Sequence, residues 1–187
     1  MTFYDDPKNA EDYIKMAKGY DGAALIALLE PQMAKGASVL ELGMGPGVDL
    51  DLLAKHYKVT GSDYSTYFLD RYKKQHPDAD LIELDAAKIN TDRTFDCIYS
   101  NKVLHQFSDE QLNFSFTKQS DALNDSGLIF HSFWLGDEVM EIHGMTFYYR
   151  SIKDVTDRLA QHFELIDAQQ YTEMEDGDSF WVLAKKR

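Results

Sequence analysis

Cysteine is nearly missing from this chain: Cys97 stands alone among 187 residues, which excludes an internal disulfide and a zinc site built from several thiolates. That usage fits a reducing, intracellular setting. Long apolar runs are missing too, since no window approaches the roughly 18 uninterrupted apolar residues that a bilayer span requires. The first residues, Met1-Thr2-Phe3-Tyr4-Asp5-Asp6, have neither the basic start nor the apolar core of a secretion signal. A cytoplasmic protein without a membrane partner is expected. Basic residues are scarce, 19 against 32 acidic ones, and the resulting net charge of −13 repels phosphate backbones. Nucleic acid is therefore not an expected partner, and the closing Lys185-Lys186-Arg187 is too short a patch to change that. Flexible linkers, repeats and low-complexity stretches are also absent, so residues 1–187 read as one domain.

What is present is the composition of an ordered globular chain, with 44% hydrophobic and 27% charged residues. Its most unusual feature is aromatic content, 11 Tyr, 11 Phe and 2 Trp, which core packing alone could absorb. Two helical pieces are predicted within residues 9–34, broken near Gly19 to Gly22 and disturbed again at Pro31. From there strands and helices alternate: strands over 38–42, 58–63, 79–84, from Phe95 through Ser100, and 128–134, with helices over 48–56, 65–75 and 108–124 between them. Ser108 and Gln111 have the spacing of a capping box, and Asn124-Asp125-Ser126-Gly127 reads as the end of that helix. A last helix starts after Ser151, and strands over 163–168 and 180–184 close the chain. Alternation favours parallel pairing, because a helix supplies the long crossover that parallel strands need. The last two strands have no helix between them and should pair antiparallel. Residues 136–150 fit no pattern.

The strongest chemical signal is Glu41-Leu42-Gly43-Met44-Gly45-Pro46-Gly47, where the first strand turns into a helix. Glycines there allow a tight turn and let a ligand approach the main chain. A dinucleotide fingerprint would need its third glycine or an alanine one residue later, where this chain has Val48. The carboxylate of Glu41 would also face a pyrophosphate badly and suits a ligand bearing positive charge. Asp63 follows 22 residues later at the end of the second strand, placed to accept hydrogen bonds from ribose hydroxyls, and Asp85 ends the third strand. These acids should meet on the edge where open α/β sheets bind ligands.

These motifs resemble those of the class I S-adenosylmethionine-dependent methyltransferases, most similarly the small UbiE-like group acting on metabolites. Residues 39–47 resemble the family's first motif, and Val59-Thr60-Gly61-Ser62-Asp63-Tyr64-Ser65 its second. Leu84-Asp85-Ala86 resembles the third, whose acid takes the adenine amino group. Residues 95–107 resemble the fourth strand and its active-site turn, and Gly127-Leu128-Ile129-Phe130 the fifth strand. The resemblance implies a Rossmann-like α/β three-layer sandwich with a seven-stranded, mostly parallel sheet ordered 3-2-1-4-5-7-6, strand 7 antiparallel. It implies S-adenosyl-L-methionine as cofactor, held by Glu41, Gly43, Met44, Gly45, Gly47, Asp63, Tyr64, Ser65, Asp85, Ala86 and Asn101, with Tyr20 alongside.

The implied reaction moves a methyl group to a small-molecule acceptor by in-line displacement. An alternative is a catalytically silent S-adenosylmethionine-binding sensor or partner-activating subunit. His105, just past the fourth strand, is the candidate base; His131 within the fifth reads as a core histidine beside Phe133. Tyr13, Trp134, Tyr149 and Arg150 are candidate acceptor contacts, residues 1–35 forming helices over the cofactor and 136–150 a pocket segment. Arg150 could clamp a carboxylate. No Asn-Pro-Pro-Tyr or Asp-Pro-Pro-Tyr run follows the fourth strand, which disfavours amino methylation of nucleic acids. The fifth strand lacks the Asp-Asn pair of magnesium-dependent catechol enzymes, so no metal is expected. Cys97 lies within a strand and reads as a small buried hydrophobe.

Overall fold

Apolar runs of about five residues, bounded by glycine and polar turns, form the strands, and the amphipathic stretches between them form the helices. The structure, a computed structural model, describes residues 3–187; Met1 and Thr2, the start of the expected N-terminal region 1–35, lie outside the described residues. Its backbone contacts divide the chain into two compact units, Met1–Asp85 and Ala86–Arg187. Among the described residues, no helix is long and apolar enough to cross a membrane.

The first unit holds a 3-10 turn at Phe3–Asp5, then α1 (Pro7–Met16), α2 (Ala23–Ala27), β1 (Ser38–Leu42), α3 (Val48–Leu53), β2 (Lys58–Asp63), α4 (Thr66–Gln75) and β3 (Leu81–Glu83). β2 pairs in parallel with both β1 and β3. Asp6 caps α1 by accepting the Lys8 N–H, with Pro7 in the first helical turn. α2 is shorter than the apolar run predicts. Leu28, Leu29 and Glu30 bond three residues back, a tightening that ends the helix ahead of Pro31. Beneath the sheet edge, Met44, Leu50, Leu69 and Tyr72 make one buried cluster, flanked by Val59, Ala79 and Leu81.

The second unit holds β4 (Phe95–Asn101), a 3-10 turn at Leu104–Gln106, α5 (Asp109–Asp121), β5 (Leu123–Trp134), β6 (Val139–Ile142), β7 (Met145–Tyr148), α6 (Ile152–Leu159), β8 (Phe163–Tyr171) and β9 (Ser179–Lys186). The capping box forms as predicted, Gln111 N–H donating to Ser108 Oγ and Ser108 N–H to Gln111 Oε1. α5 nevertheless stops at Asp121, short of the predicted 124. Leu123 is already opposite Phe95, and the register shifts between Phe95 and Cys97, where Ser126 takes a φ of 62°. The tetrapeptide 124–127 is therefore a bulge within the strand. Residues 136–150 are chiefly the β6–β7 hairpin, a separate two-stranded sheet.

The seven remaining strands run β3-β2-β1-β4-β5-β9-β8, with β9 antiparallel to both neighbours. This is the expected Rossmann-like α/β order, its last two numbers raised by two because the hairpin intervenes in the chain. Many of the aromatics serve this sheet. Tyr99 stacks on Phe130 at 5.8 Å and Phe130 on Trp181 at 5.5 Å, while Phe133 and Phe180 stack directly across β5 and β9 at 5.2 Å. Cys97 is fully buried, and burial pushes its thiol up out of the reactive range.

A polar chain threads the second unit. Ser115 Oγ donates to Ala86 O at 2.7 Å, and Gln119 Nε2 donates to Ser115 Oγ at 3.1 Å. That turns Gln119 Oε1 toward His131 Nε2, 2.7 Å away, so Nε2 carries the proton and Nδ1 accepts from Ser100 Oγ at 2.8 Å. His131 is a satisfied core histidine, and burial lowers its pKa to about 3. Because the folded value lies below the unfolded one of about 6.5, its contribution is fully present above pH 6.5 and is lost as pH falls toward 3. Replacing His131 by Asn should flatten the dependence of unfolding free energy on pH, between 6 and 4, by about 1.4 kcal/mol per pH unit relative to the parent. Denaturant titrations at several pH values measure the two slopes; equal slopes would show that His131 is not held neutral.

Candidate functional site

In the first unit the glycine turn closes onto Asp63. Gly43, Gly45 and Gly47 all take positive φ, at 64°, 50° and 87°, a region that side chains with a Cβ rarely enter. A Cβ on Gly45 would find only Tyr13 Cε1, 3.7 Å away, so the turn is open on that side apart from a single ring. A Cβ on Gly47 would collide with the ring of Tyr72, whose hydroxyl donates to Asp51 at 2.5 Å. The third glycine therefore serves close packing, and the second leaves the main chain approachable.

Asp63, at the end of β2, accepts from Gly45 N–H and Ser65 N–H, each at 2.8 Å and each on a different oxygen. Burial raises its pKa, and these backbone donors oppose the shift. Ser65 also donates to Tyr4 O at 2.9 Å, which anchors the N-terminal 3-10 turn. Tyr4 and Tyr13 meet edge to face at 5.2 Å, and both phenols are held un-ionised, chiefly by burial and further by charges that include Asp63. The N-terminal region thus lies against the glycine turn and Asp63. Leu84 N–H donates to Asp63 O at 3.0 Å, bringing half-buried Asp85 to the same edge.

Glu41 is the least satisfied group in this unit. Its side chain is 3% exposed, and Oε2 is buried without a hydrogen-bond partner. Burial drives its pKa well above the usual carboxylate range, and Asp49, Asp63 and Asp51 push it further in that direction. In register it stands opposite Gly61, two residues short of Asp63, so the acids form a staggered group and not a level row.

Other predicted residues are placed differently. Met44 sends its side chain into the buried cluster, and its N–H is already given to Ser62 O at 2.8 Å. Tyr20 and Tyr64 are exposed. Among the described residues, therefore, the first unit's candidate site is Glu41, Asp63, Asp85 and the Gly43–Gly45 main chain, with Ser65 spent on Asp63 and Tyr4 O.

In the second unit Ala86 is buried and its carbonyl is occupied by Ser115. Asn101 ends β4 and accepts from Ser132 Oγ at 2.5 Å. His105 lies in the 3-10 turn that follows, stacked on Phe147 at 5.2 Å, with Nδ1 buried and without a partner. Burial lowers its pKa to about 3, and nearby Lys102 adds to the effect. Trp134 ends β5, and Tyr149 packs on Gly136.

Arg150 corrects an expectation. Its side chain is 5% exposed and its two terminal nitrogens are engaged within the unit, by Asp109 and Asp154 at 2.9 Å each and by Phe107 O at 2.8 Å, while Nε is buried without a partner. Two carboxylates and a carbonyl already hold this fork, so it ties α5 and α6 together and is not presented as a clamp.

Sequence reasoning missed Lys102. It adopts a left-handed φ of 55°, and its Nζ donates to Ser179 Oγ at 2.6 Å and Phe133 O at 2.8 Å, above the Trp134 ring at 3.8 Å. Burial lowers its pKa to about 7. Its sequence signal is its position, directly after the fourth strand and ahead of the turn that holds His105.

Residues 39–127 match the sequence profile of the family described as methyltransferase domain. A curated relative, an uncharacterised 37.1 kDa protein in transposon TN4556 of Streptomyces fradiae, is 31% identical over 101 residues. That match takes in 50% of this chain, which spans only 28% of the relative's length. Among solved structures, 1,6-didemethyltoxoflavin-N1-methyltransferase of Burkholderia thailandensis, with bound 1,6-didemethyltoxoflavin and S-adenosylhomocysteine, superposes with a TM-score of 0.82 at 17% identity, over 98% of this chain and 86% of the other. The N-methyltransferase NodS of Bradyrhizobium japonicum, in complex with S-adenosylhomocysteine, gives 0.70 at 18% identity, over 87% and 84%. From the start of β1 into β5, then, the chain is similar to the methyltransferase domain, and its fold is that of the two solved methyltransferases.

Proposed function

We propose that this protein transfers a methyl group from S-adenosylmethionine to a small organic acceptor by in-line displacement. The observation that carries the reading is Glu41: a buried carboxylate with an orphaned oxygen, surrounded by three further acids, is stabilised by a bound cation. The cofactor's ammonium group and sulfonium supply positive charge of that kind. A nicotinamide dinucleotide, with its anionic pyrophosphate, does not.

The residues present fit the cofactor. Glu41 would hold the ammonium, Asp63 the ribose hydroxyls, and Asp85 the adenine amino group. The turn from Gly43 to Gly45 would lie along the ligand main chain to edge. When bound, the cofactor supplies an electrophilic methyl carbon, so the protein's task is chiefly to orient the acceptor and exclude water. Tyr13 at Gly45 serves that exclusion, and Trp134 and Tyr149 are the acceptor contacts of this reading. His105 stays neutral and is a weak proton acceptor at neutral pH, which moves the base role elsewhere. A small acceptor is supported by the didemethyltoxoflavin bound to the Burkholderia enzyme.

Calorimetric titration should show S-adenosylmethionine binding and no NAD binding; the opposite preference refutes the proposal. In the Asp63→Ala variant the cofactor should lose about 1.5 to 3 kcal/mol of affinity, the range for hydrogen bonds to a charged group. An unchanged dissociation constant would place the ribose elsewhere. Binding without turnover of any acceptor would favour the sensor alternative.

Glu41→Gln should separate stability from binding. Since the folded pKa of Glu41 is raised, its cost appears as pH rises above the unfolded value of about 4.3. The glutamine variant should therefore melt higher than the parent at pH 7, lose that advantage in acid, and bind cofactor more weakly. A lower melting temperature at pH 7 would show that Glu41 is satisfied without ligand.

A further inference from the structure

The acids that the proposed function assigns to the cofactor's ammonium and ribose are shut away from solvent, Glu41 at 3% exposure and Asp63 at 9%. A ligand reaches such groups only when a covering element moves. Over Asp63 and the glycine turn that element is the N-terminal segment of the same unit. Tyr13 faces Gly45, whose N–H is held by Asp63, and Ser65, the other donor to Asp63, bonds Tyr4 O at 2.9 Å.

Packing holds this segment lightly. The turn at Phe3–Asp5 has no buried residue and α1 has only Ala10, where α3 and α4 bury three residues each. Its seam with α4 is also incompletely filled, with a cleft of about 260 Å³ between Asp5 and the α4 residues Thr66, Asp70 and Lys74. Elements with so little buried surface open locally at low cost.

What fastens the segment is chiefly polar and partly wet. Glu11 Oε1 accepts from Tyr67 Oη at 2.8 Å and from Arg71 Nε at 3.2 Å, two side chains one turn apart on α4. Glu11 is 41% and Arg71 32% exposed, so water competes for this latch and releases it readily. Phe68 adds ring contacts, to Tyr4 at 5.7 Å and to Tyr13 at 6.1 Å. The far end has a pivot. Gly19 takes a φ of 96° with open space around it, and three residues later Gly22 N–H is pinned by Asp49 at 2.7 Å. An unhindered glycine beside a fixed one lets the chain before it swing while the chain after it stays.

We propose that residues 3–16 are a lid over the cofactor site, hinged at Gly19 and latched to α4 by Glu11, and that its opening sets the rate at which the cofactor enters and its demethylated product leaves. The inference rests on the methyl-transfer reading above and adds a control on that same site. Closed, the lid keeps water from Asp63 and the glycine turn; open, it uncovers both.

Surface plasmon resonance on the full chain measures both rate constants for S-adenosylhomocysteine. Glu11→Ala removes the latch and leaves Glu41, Asp63, Asp85 and the glycine turn in place, so association and dissociation should both quicken about tenfold, with the dissociation constant nearly unchanged. Tyr67→Phe takes away one donor and should quicken both about threefold. A side chain that merely props the site would raise dissociation alone. Backbone hydrogen exchange gives a second readout: amides of α1 should exchange faster than those of β1 in the parent and slow down once S-adenosylhomocysteine is added. Association unchanged in both variants, or α1 amides as slow as those of β1 before ligand is added, overturns the lid. Failure of the parent to bind either S-adenosylmethionine or S-adenosylhomocysteine sinks the methyl-transfer reading itself; normal binding with unaltered rates in the variants sinks only the lid.

Discussion

The burial of Glu41 is the constraint around which the first unit is organised. A carboxylate with an oxygen that reaches neither water nor a donor is costly, and the neighbouring Asp49, Asp51 and Asp63 raise the cost. Folding alone gains nothing from this arrangement. Each of the neighbours is fixed by a bond of its own: Asp49 accepts Gly22 N–H at 2.7 Å, Asp51 the Tyr72 hydroxyl, and Asp63 two backbone donors. Among these described acids Glu41 is left with an unpartnered oxygen, and it lies in the strand that delivers the chain to the glycine turn. A buried carboxylate with an unpartnered oxygen among three further acids gains energy on meeting a cation, which is why the proposed function places the cofactor's positive charge there.

The second unit manages its buried polar groups differently. The chain from Ala86 through Ser115, Gln119 and His131 to Ser100 satisfies every member and fixes one tautomer, which makes it a structural element. Arg150 is likewise engaged with Asp109 and Asp154, and Arg158 joins the same two carboxylates at 2.8 Å each. Against that background the incomplete groups stand apart. His105 Nδ1 and Arg150 Nε are buried without a partner.

Much of this was legible in the sequence because its causes are local. The glycine spacing, the capping box at Ser108 and Gln111, and the acid at the end of β2 each depend on residues within a few positions of one another. The reversed last strand could also be read, since the missing helix between residues 169 and 179 leaves only a tight return. What escaped depends on distant partners. Lys102 is defined by Phe133, 31 residues away, and Ser179, 77 residues away. Arg150 resembled a free clamp because its partner Asp109 lies 41 residues upstream. The β6–β7 hairpin, with its apolar residues exposed in β6 and half-buried in β7, carries no clear alternation to announce it.

His105 and Lys102 show how burial acts on groups of different starting basicity. Burial disfavours the charged form of both, and lowers both by a similar extent. Histidine begins near about 6.5, so the same displacement carries it out of the useful range; lysine begins near about 10.4 and is carried into it. A search for catalytic groups that starts from unperturbed values selects histidine at any turn beside a reactive strand. Once the turn is buried the ranking reverses, and the group able to exchange a proton at neutral pH is the one that looked permanently charged.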